Sequence, residues 1–384
     1  NAEAVLDSRI RAETSFKHTN QPSRIFLTGA TGFVGAFLLY ELLQQTNANI
    51  YSLVRAANAE SGKKKLQKHL DSNLIWDESL SIRIIPVIGD LSQPLLGLSE
   101  QQFKLMSQKI DIIYHNAAAI NLVYSYSALK ATNVLGTQEI LRLASQIKVK
   151  PVHYISTLSV LSSEEYAQVK EIQELHNFSH SQIPSGGYAQ TKWVAEKLVS
   201  TAYNRGIPVS IYRLGRVSGH SKTGVCNTSV RLYRLLKGFI QMECVPDVKT
   251  TVDMTPVDYV SKALIHLSSQ KQSFNKIFHL SNHQAIGSLE LFKWIREFGY
   301  SLVPMSYNQW QTELINASES SLDNPLYPLI PFFAGKETED ALKQESSEQN
   351  SNSAELKFDC QNTTDGLVDT SIVCPPVDAK LLNT

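Results

Sequence analysis

Apolar and polar positions alternate in blocks along the first 215 residues of this chain. The run Arg24-Ile25-Phe26-Leu27-Thr28 is compact and apolar and ends in Gly29, the pattern of a strand buried on both faces. Over residues 32–45 the period changes, and Phe33, Val34, Phe37, Leu38, Leu42 and Leu43 fall at helical spacing. The same exchange repeats. Strands are predicted at residues 49–54, 81–88, 111–115, 152–156 and 208–213, with helices near 61–70, 99–107, 127–145 and 188–203 between them. Strand and helix in strict alternation predict a parallel sheet with helices on both faces.

After residue 215 the rhythm breaks. Residues 215–251 read as an excursion holding one helix at 230–240, and Thr255-Pro256 opens another, with Pro at its tolerated first turn. Residues 277–280 read as one more strand. From Gly287 the pattern is of short helices and loops, and 343–353 is a polar, loop-like stretch. The expected fold class is α/β, a doubly wound parallel Rossmann sheet with a smaller, mostly helical C-terminal lobe. Residues 24–213 and 255–282 are assigned to the sheet domain, and 214–254 and 283–384 to the lobe.

Composition narrows this picture only a little. The 384 residues are 42% hydrophobic, enough for a sizeable core, and Lys+Arg and Asp+Glu both number 36. Zero net charge predicts no general affinity for nucleic acid. No apolar run approaches the roughly 20 residues of a membrane span. Cys226, Cys244, Cys360 and Cys374 form no CxxC pair and no metal-ligand spacing, so free thiols in a cytoplasmic setting, and no metal, are expected.

The candidate chemistry starts at Thr28-Gly29-Ala30-Thr31-Gly32-Phe33-Val34-Gly35, which joins the first strand to the first helix. One glycine makes the tight turn, one lets a pyrophosphate approach the backbone, and one lets helix pack on strand. The helix start then offers N–H groups to the phosphates. Thr28, Gly29, Thr31, Gly32, Phe33, Val34 and Gly35 are therefore expected to line a dinucleotide. The second strand ends in Arg55, where an NAD site would carry an acidic residue. A guanidinium there suits a 2′-phosphate and predicts NADPH, with Lys64 or Lys65 assisting. Asp90 and Leu91, after the third strand, and Asn116, Ala117 and Ala118, after the fourth, are expected in the same crevice.

A Tyr-x-x-x-Lys quartet occurs four times, as Tyr126/Lys130, Tyr166/Lys170, Tyr188/Lys192 and Tyr233/Lys237. Position decides between them. The partner hydroxyl belongs at the carboxyl end of the fifth strand, at Thr157, with Ser156 and Ser159 as alternatives. Only Tyr188 lies on the next long helix, so Thr157, Tyr188 and Lys192 are the expected catalytic set. One helical turn apart, Lys192 is expected to lower the Tyr188 pKa and to bond the nicotinamide ribose. Asn133 is a candidate brace. Arg213 and Arg216 read as structural ion-pair formers rather than pocket residues.

Taken together these residues resemble the extended short-chain dehydrogenase/reductase superfamily, and within it the thioester reductase domain that ends many nonribosomal peptide synthetases. The stretches that carry the likeness are the glycine turn, Leu53-Val54-Arg55-Ala56, Tyr154-Ile155-Ser156-Thr157, Gly187-Tyr188-Ala189-Gln190-Thr191-Lys192-Trp193, Tyr212-Arg213-Leu214-Gly215-Arg216, Val257-Asp258-Tyr259-Val260 and Asn324-Pro325-Leu326-Tyr327-Pro328. The resemblance implies NADPH-dependent release of an acyl or peptidyl thioester from the phosphopantetheine arm of an upstream carrier domain, as an aldehyde or onward to an alcohol. Residues 1–23 would then be the linker from that carrier, and the lobe its docking site. Lys63-Lys64-Lys65 stands where relatives often carry a second arginine. Two alternatives stand beside it: a sugar-nucleotide epimerase or hydroxysteroid-type dehydrogenase, which shares the Thr/Tyr/Lys set but usually prefers NAD, and an NADP-sensing module without turnover, a kind that commonly loses the Tyr or Lys present here.

Overall fold

The structure is a computed structural model that describes residues 3–16, 21–162, 171–175, 183–320, 325–333 and 357–384. Tyr166, Lys170, Asn324 and the polar stretch 343–353 lie outside the described residues.

Seven strands pair in parallel throughout: β1 (Arg24–Thr28), β2 (Asn49–Val54), β3 (Ile84–Ile88), β4 (Ile112–His115), β5 (Val152–Thr157), β6 (Val209–Leu214) and β7 (Ile277–Leu280), in the spatial order 3-2-1-4-5-6-7. The order reverses at β1, which pairs with β2 on one side and β4 on the other. The crevice of an open α/β sheet lies at such a reversal, outside the carboxyl ends of the strands. Thr28 sits there, level with Leu53 and His115.

Both faces of the sheet are covered, which is why its strands are mostly apolar. In β1, Phe26 enters the core on one face, while Ile25 and Leu27 enter the core on the other. Helices α1 (Phe33–Gln45), α2 (Ala59–Ser72) and α8 (Val257–Ser269) contribute to the second core. Helices α3 (Glu100–Lys109), α5 (Gly136–Ser145) and α6 (Gly187–Asn204) contribute to the first. Asn58 and Ser61 form a reciprocal capping box that starts α2 at Ala59.

Two elements differ from the periodicity. Residues 81–83 belong to a 3₁₀ turn (Glu78–Arg83), so β3 starts at Ile84. The helix expected over 127–145 is observed as α4 (Tyr126–Lys130) and α5, joined by one π-helical stretch, Ala131–Leu135. Apolar spacing reports which side of a helix is buried but is nearly blind to one inserted residue.

The remaining core lies outside the sheet. Helices α7 (Arg231–Met242), α9 (Ser288–Glu297) and α10 (Tyr307–Ser320) pack around Phe239, whose ring meets Phe292 and Trp310 edge-on at 5.7 and 5.8 Å. Short ribbons, too brief to show a period, pair Cys244–Pro246 with Val303–Met305, Thr251–Val252 with Ile286–Gly287, and Val217–Ser218 with Thr255–Pro256.

The segment before β1 is docked on the sheet domain. Leu6 and Ile10 enter the first core at 2% and 0% exposure. Arg205 donates from Nη1 to the carbonyls of Asp7 and Ile10 (2.6 and 3.2 Å) and from Nη2 to that of Leu6 (3.2 Å). Truncating Ile10 to Ala is expected to lower unfolding free energy by about 2–5 kcal/mol in urea titration, as for other buried aliphatic side chains.

Candidate active site

The glycine turn leaves no room for side chains. Gly29 has φ +79°, and a Cβ on it would lie 2.8 Å from Ala117 Cα and from Asn116 Nδ2. A Cβ on Gly35 would collide with the Gly29 carbonyl, so α1 and β1 meet backbone to backbone. Helix α1 opens after Gly32 with no side-chain cap and no carboxylate in its first turn. Its first amides are thereby left to an outside acceptor, as a pyrophosphate site requires.

The neighbouring strand ends extend this surface. Arg55 is exposed after β2, and Lys65 reaches back from α2 to donate to the Arg55 carbonyl at 3.2 Å. Lys64 is taken up by Glu60 at 2.6 Å, so of the two lysines it is Lys65 that stands beside Arg55. Burial pushes the Asp90 carboxyl up, but bonds from Ser92 N–H (2.9 Å) and Ser92 Oγ (2.8 Å), with the nearby Arg55 charge, hold it lowered overall. Leu91 is buried against Gly136 at the start of α5. Asn116 Nδ2 donates to the Gly29 carbonyl at 3.4 Å, and Ala117 N–H to Thr28 Oγ1 at 3.0 Å.

On the other side of β4 stand the three expected catalytic residues. Thr157 ends β5 level with Leu214, accepts from Ser159 N–H and donates to Ser159 Oγ, both at 3.2 Å. Ser156 is buried, with its hydroxyl enclosed and unpartnered, whereas Thr157 and Ser159 are half-buried. Lys192 is 3% exposed; its Nζ donates to the Ile155 carbonyl at 2.8 Å and lies 4.1 Å from the Tyr154 ring centre. The bond to Ile155 places α6 against the carboxyl end of β5. Burial pulls Lys192 down to about 7, against an opposing contribution from Glu196.

Tyr188 departs from the sequence expectation. Burial pushes its phenol up to about 12, and the Lys192 charge makes no resolved contribution. Spacing puts the two residues on one face of α6, but the ammonium is turned toward the Ile155 carbonyl and the Tyr154 ring.

The two rival quartets among the described residues are engaged elsewhere. Tyr233 Oη accepts from Gly219 N–H at 2.7 Å, and Lys130 pairs with Glu3 at 2.7 Å. Arg213 forms a two-pronged ion pair with Glu196, Nε to Oε1 and Nη2 to Oε2, both 2.9 Å, and both side chains are buried, as the ion-pair reading expected. The Arg216 backbone N–H donates to Asp253 at 3.1 Å. The four cysteines are free thiols, and no metal-holding cluster occurs among the described residues. No helix among them is long and apolar enough to cross a membrane.

A buried polar line missed in the sequence joins the two halves of the site. Thr28 Oγ1 meets His115 Nδ1 at 2.9 Å, and His115 Nε2 meets Thr137 Oγ1 at 3.0 Å. Thr137 donates to the Asn133 carbonyl at 2.7 Å. Asn133 Nδ2 donates to Thr191 Oγ1 at 2.9 Å, and Thr191 donates to the Tyr188 carbonyl at 2.8 Å. The signal available was Asn133 and Thr137 one turn apart, but nothing in the spacing pointed to His115.

Such an arrangement makes the chain an oxidoreductase built to hold a nicotinamide dinucleotide. Comparison with known proteins agrees. The profile of the male sterility protein family matches residues 27–264. The terminal R domain of the myxalamid PKS-NRPS biosynthetic pathway superposes with a TM-score of 0.88 at 43% identity, covering 99% of this chain and 94% of that one. A linear gramicidin synthase from Brevibacillus parabrevis is 41% identical over 382 residues, 99% of this chain but 7% of that protein. The L-2-aminoadipate reductase large subunit of Candida glabrata is 34% identical over 358 residues, 89% of this chain and 26% of that protein. This chain thus spans only a part of its curated relatives. It belongs to the male sterility protein family, and within it is a reductase domain of the kind found in nonribosomal peptide synthetases.

The Lys192 shift yields a stability test. A buried ammonium disfavours the fold; that penalty is complete below about pH 7 and fades as pH rises toward the unfolded value of about 10.4. Replacing Lys192 by Met is expected to raise Tm at pH 6.5 by at least about 2 °C. The advantage over wild type should shrink steadily between pH 7 and pH 10 in parallel melting curves.

Proposed function

We propose that this chain reduces an acyl or peptidyl thioester, carried on the phosphopantetheine arm of an upstream carrier domain, to an aldehyde with NADPH. The observation that carries the reading is the Lys192–Ile155 bond, which brings the Tyr188/Lys192 helix to the strand that ends in Thr157, with only β4 between it and the strand leading into the crowded glycine turn. Support for the thioester comes from the 43% identity with the myxalamid R domain. Support for the carrier comes from a solved archaeal thiolation-reductase di-domain, which shares the fold at a TM-score of 0.73. In this reading residues 1–23 connect to the carrier, residues 24–213 and 255–282 hold the dinucleotide, and residues 214–254 and 283–384 receive the carrier. The setting is cytoplasmic.

The dinucleotide, when bound, supplies the hydride. Everything else falls to the chain. Gly29, Thr31, Gly32, Phe33, Val34 and Gly35 would hold the pyrophosphate, with Thr28 buried beneath them on His115 and Ala117, and Arg55 with Lys65 would hold the 2′-phosphate. Asp90, Leu91, Asn116, Ala117 and Ala118 line the nucleoside, and Lys192 bonds the nicotinamide ribose. Thr157 and Tyr188 donate to the carbonyl oxygen of the thioester as it gains negative charge. The raised pKa of Tyr188 keeps the phenol protonated at neutral pH, the state a reductase needs in its proton donor. The resulting hemithioacetal expels the carrier thiol and leaves the aldehyde. A second round yields the alcohol.

Two measurements test this. With a loaded carrier protein, Tyr188→Phe is expected to slow NADPH oxidation by at least about 100-fold; an unchanged rate would falsify the assignment. Arg55→Ala is expected to raise KM for NADPH about 10- to 100-fold while leaving KM for NADH within about twofold, since one charge-assisted phosphate contact is lost. Equal effects on both cofactors would remove Arg55 from the 2′-phosphate site.

A further inference from the structure

The chain leaving β4 reads Ala119-Ile120-Asn121-Leu122-Val123-Tyr124, and four of these side chains stand in solvent. Ile120 is 71% exposed, Leu122 41%, Val123 48% and Tyr124 56%. Exposed apolar residues ordinarily occur singly; four within five positions form a patch. No charged residue occurs from Ala117 to Leu129, which suits neither a phosphate nor any other charged partner.

The backbone beneath the patch is held in place. Asn133 grips Ala119 from both sides, accepting its N–H at 2.7 Å and donating to its carbonyl at 3.0 Å. Asn121 Oδ1 accepts from the N–H groups of Val123 (2.9 Å) and Tyr124 (3.0 Å). At the far end, a Cβ on Gly187 would lie 2.5 Å from Tyr126 N and 2.6 Å from Ser125 C. Apolar side chains are thus presented to water by a backbone that hydrogen bonds prevent from folding inward.

The position of the loop names its occupant. It begins where Asn116–Ala118 flank the glycine turn, and it ends against Gly187, the residue before Tyr188. It therefore bridges the dinucleotide side of the crevice and the phenol. A carbonyl carbon reduced beside Tyr188 must send its attached chain along some wall, and this loop is the wall that joins both sides.

We propose that Ile120, Leu122, Val123 and Tyr124 receive the acyl or peptidyl chain next to the reacting carbonyl and set a preference for apolar acyl groups. This rests on the thioester-reductase reading. The occupant is the hydrocarbon part of the substrate, while the carrier surface and the pantetheine arm lie elsewhere.

The test uses the whole chain, NADPH, and two soluble pantetheine thioesters, octanoyl and acetyl. Wild type is expected to favour octanoyl in kcat/KM by more than about tenfold. Ile120→Ser and Val123→Ser should each cut that preference about tenfold, through KM for the octanoyl substrate, because apolar contact is lost. Ile82→Ser, on the turn before β3 and still more exposed (81%), serves as control and should leave the preference unchanged. An unaltered preference in both loop variants overturns the proposal. So does an equal rise in KM for both thioesters, which would mark a pantetheine contact, or a matching effect of the control. If wild type oxidises NADPH with neither thioester nor with a loaded carrier, the thioester reading falls and takes this one with it; turnover without acyl preference sinks the wall alone.

Discussion

The site depends on a single buried imidazole having only one way to make its hydrogen bonds. His115 is buried, and its pKa is pushed down to about 3 by burial and by the Lys192 charge, so it stays neutral. Thr137 has spent its proton on the Asn133 carbonyl and can only accept from His115 Nε2. His115 Nδ1 must then accept from Thr28, whose oxygen also accepts the Ala117 N–H. One tautomer satisfies every member, and any other leaves a buried polar group unpaired at about 1–3 kcal/mol. Through Asn133 and Thr191 the same line ends on the Tyr188 carbonyl. The glycine turn and the helix that carries the phenol are therefore held in one register.

A second constraint sets the angle of α6. Tyr188, Lys192 and Glu196 repeat every fourth residue and share a face. Glu196 is locked to Arg213 on β6, and Arg213 Nη1 lies 3.3 Å from a neutral His279 on β7. One turn back, Lys192 meets β5 at Ile155, and Tyr188 lies one turn further back along α6. Breaking a buried ion pair strands a charge, so the Arg213–Glu196 contact specifies where the helix sits more than it stabilises the fold. The π-helical stretch at Ala131–Leu135 completes the arrangement, because Asn133 within it bonds both Ala119 and Thr191. Such insertions recur at functional sites.

Much of this was legible in the chain. The sheet domain follows from the alternation of apolar periods, since each strand is buried on two faces and each helix on one. The glycine turn was readable because contacts at Gly29 and Gly35 exclude a Cβ. The choice among the Tyr-x-x-x-Lys quartets rested on their order relative to the fifth strand, and the Tyr233 hydroxyl is held by Gly219. What spacing could not supply was direction. It put Lys192 beside Tyr188 but not its ammonium on the Ile155 carbonyl, and so misjudged the phenol. It gave no sign that Leu6 and Ile10, within the segment read as a linker, are buried in the core.

The chain by itself determined the parallel sheet with helices on both faces, the glycine turn and the helix bearing Tyr188 and Lys192. These are local matters of period, backbone freedom and order, and each is written within a few neighbouring residues. Only the tertiary structure decided which hydrogen bonds orient them: His115 between Thr28 and Thr137, Asn133 between Ala119 and Thr191, Glu196 on Arg213, and an apolar loop held outward. Most of these partners stand 14 to 87 positions apart. Their pairing is imposed by the exclusion of water from the packed interior, which no stretch of sequence experiences alone.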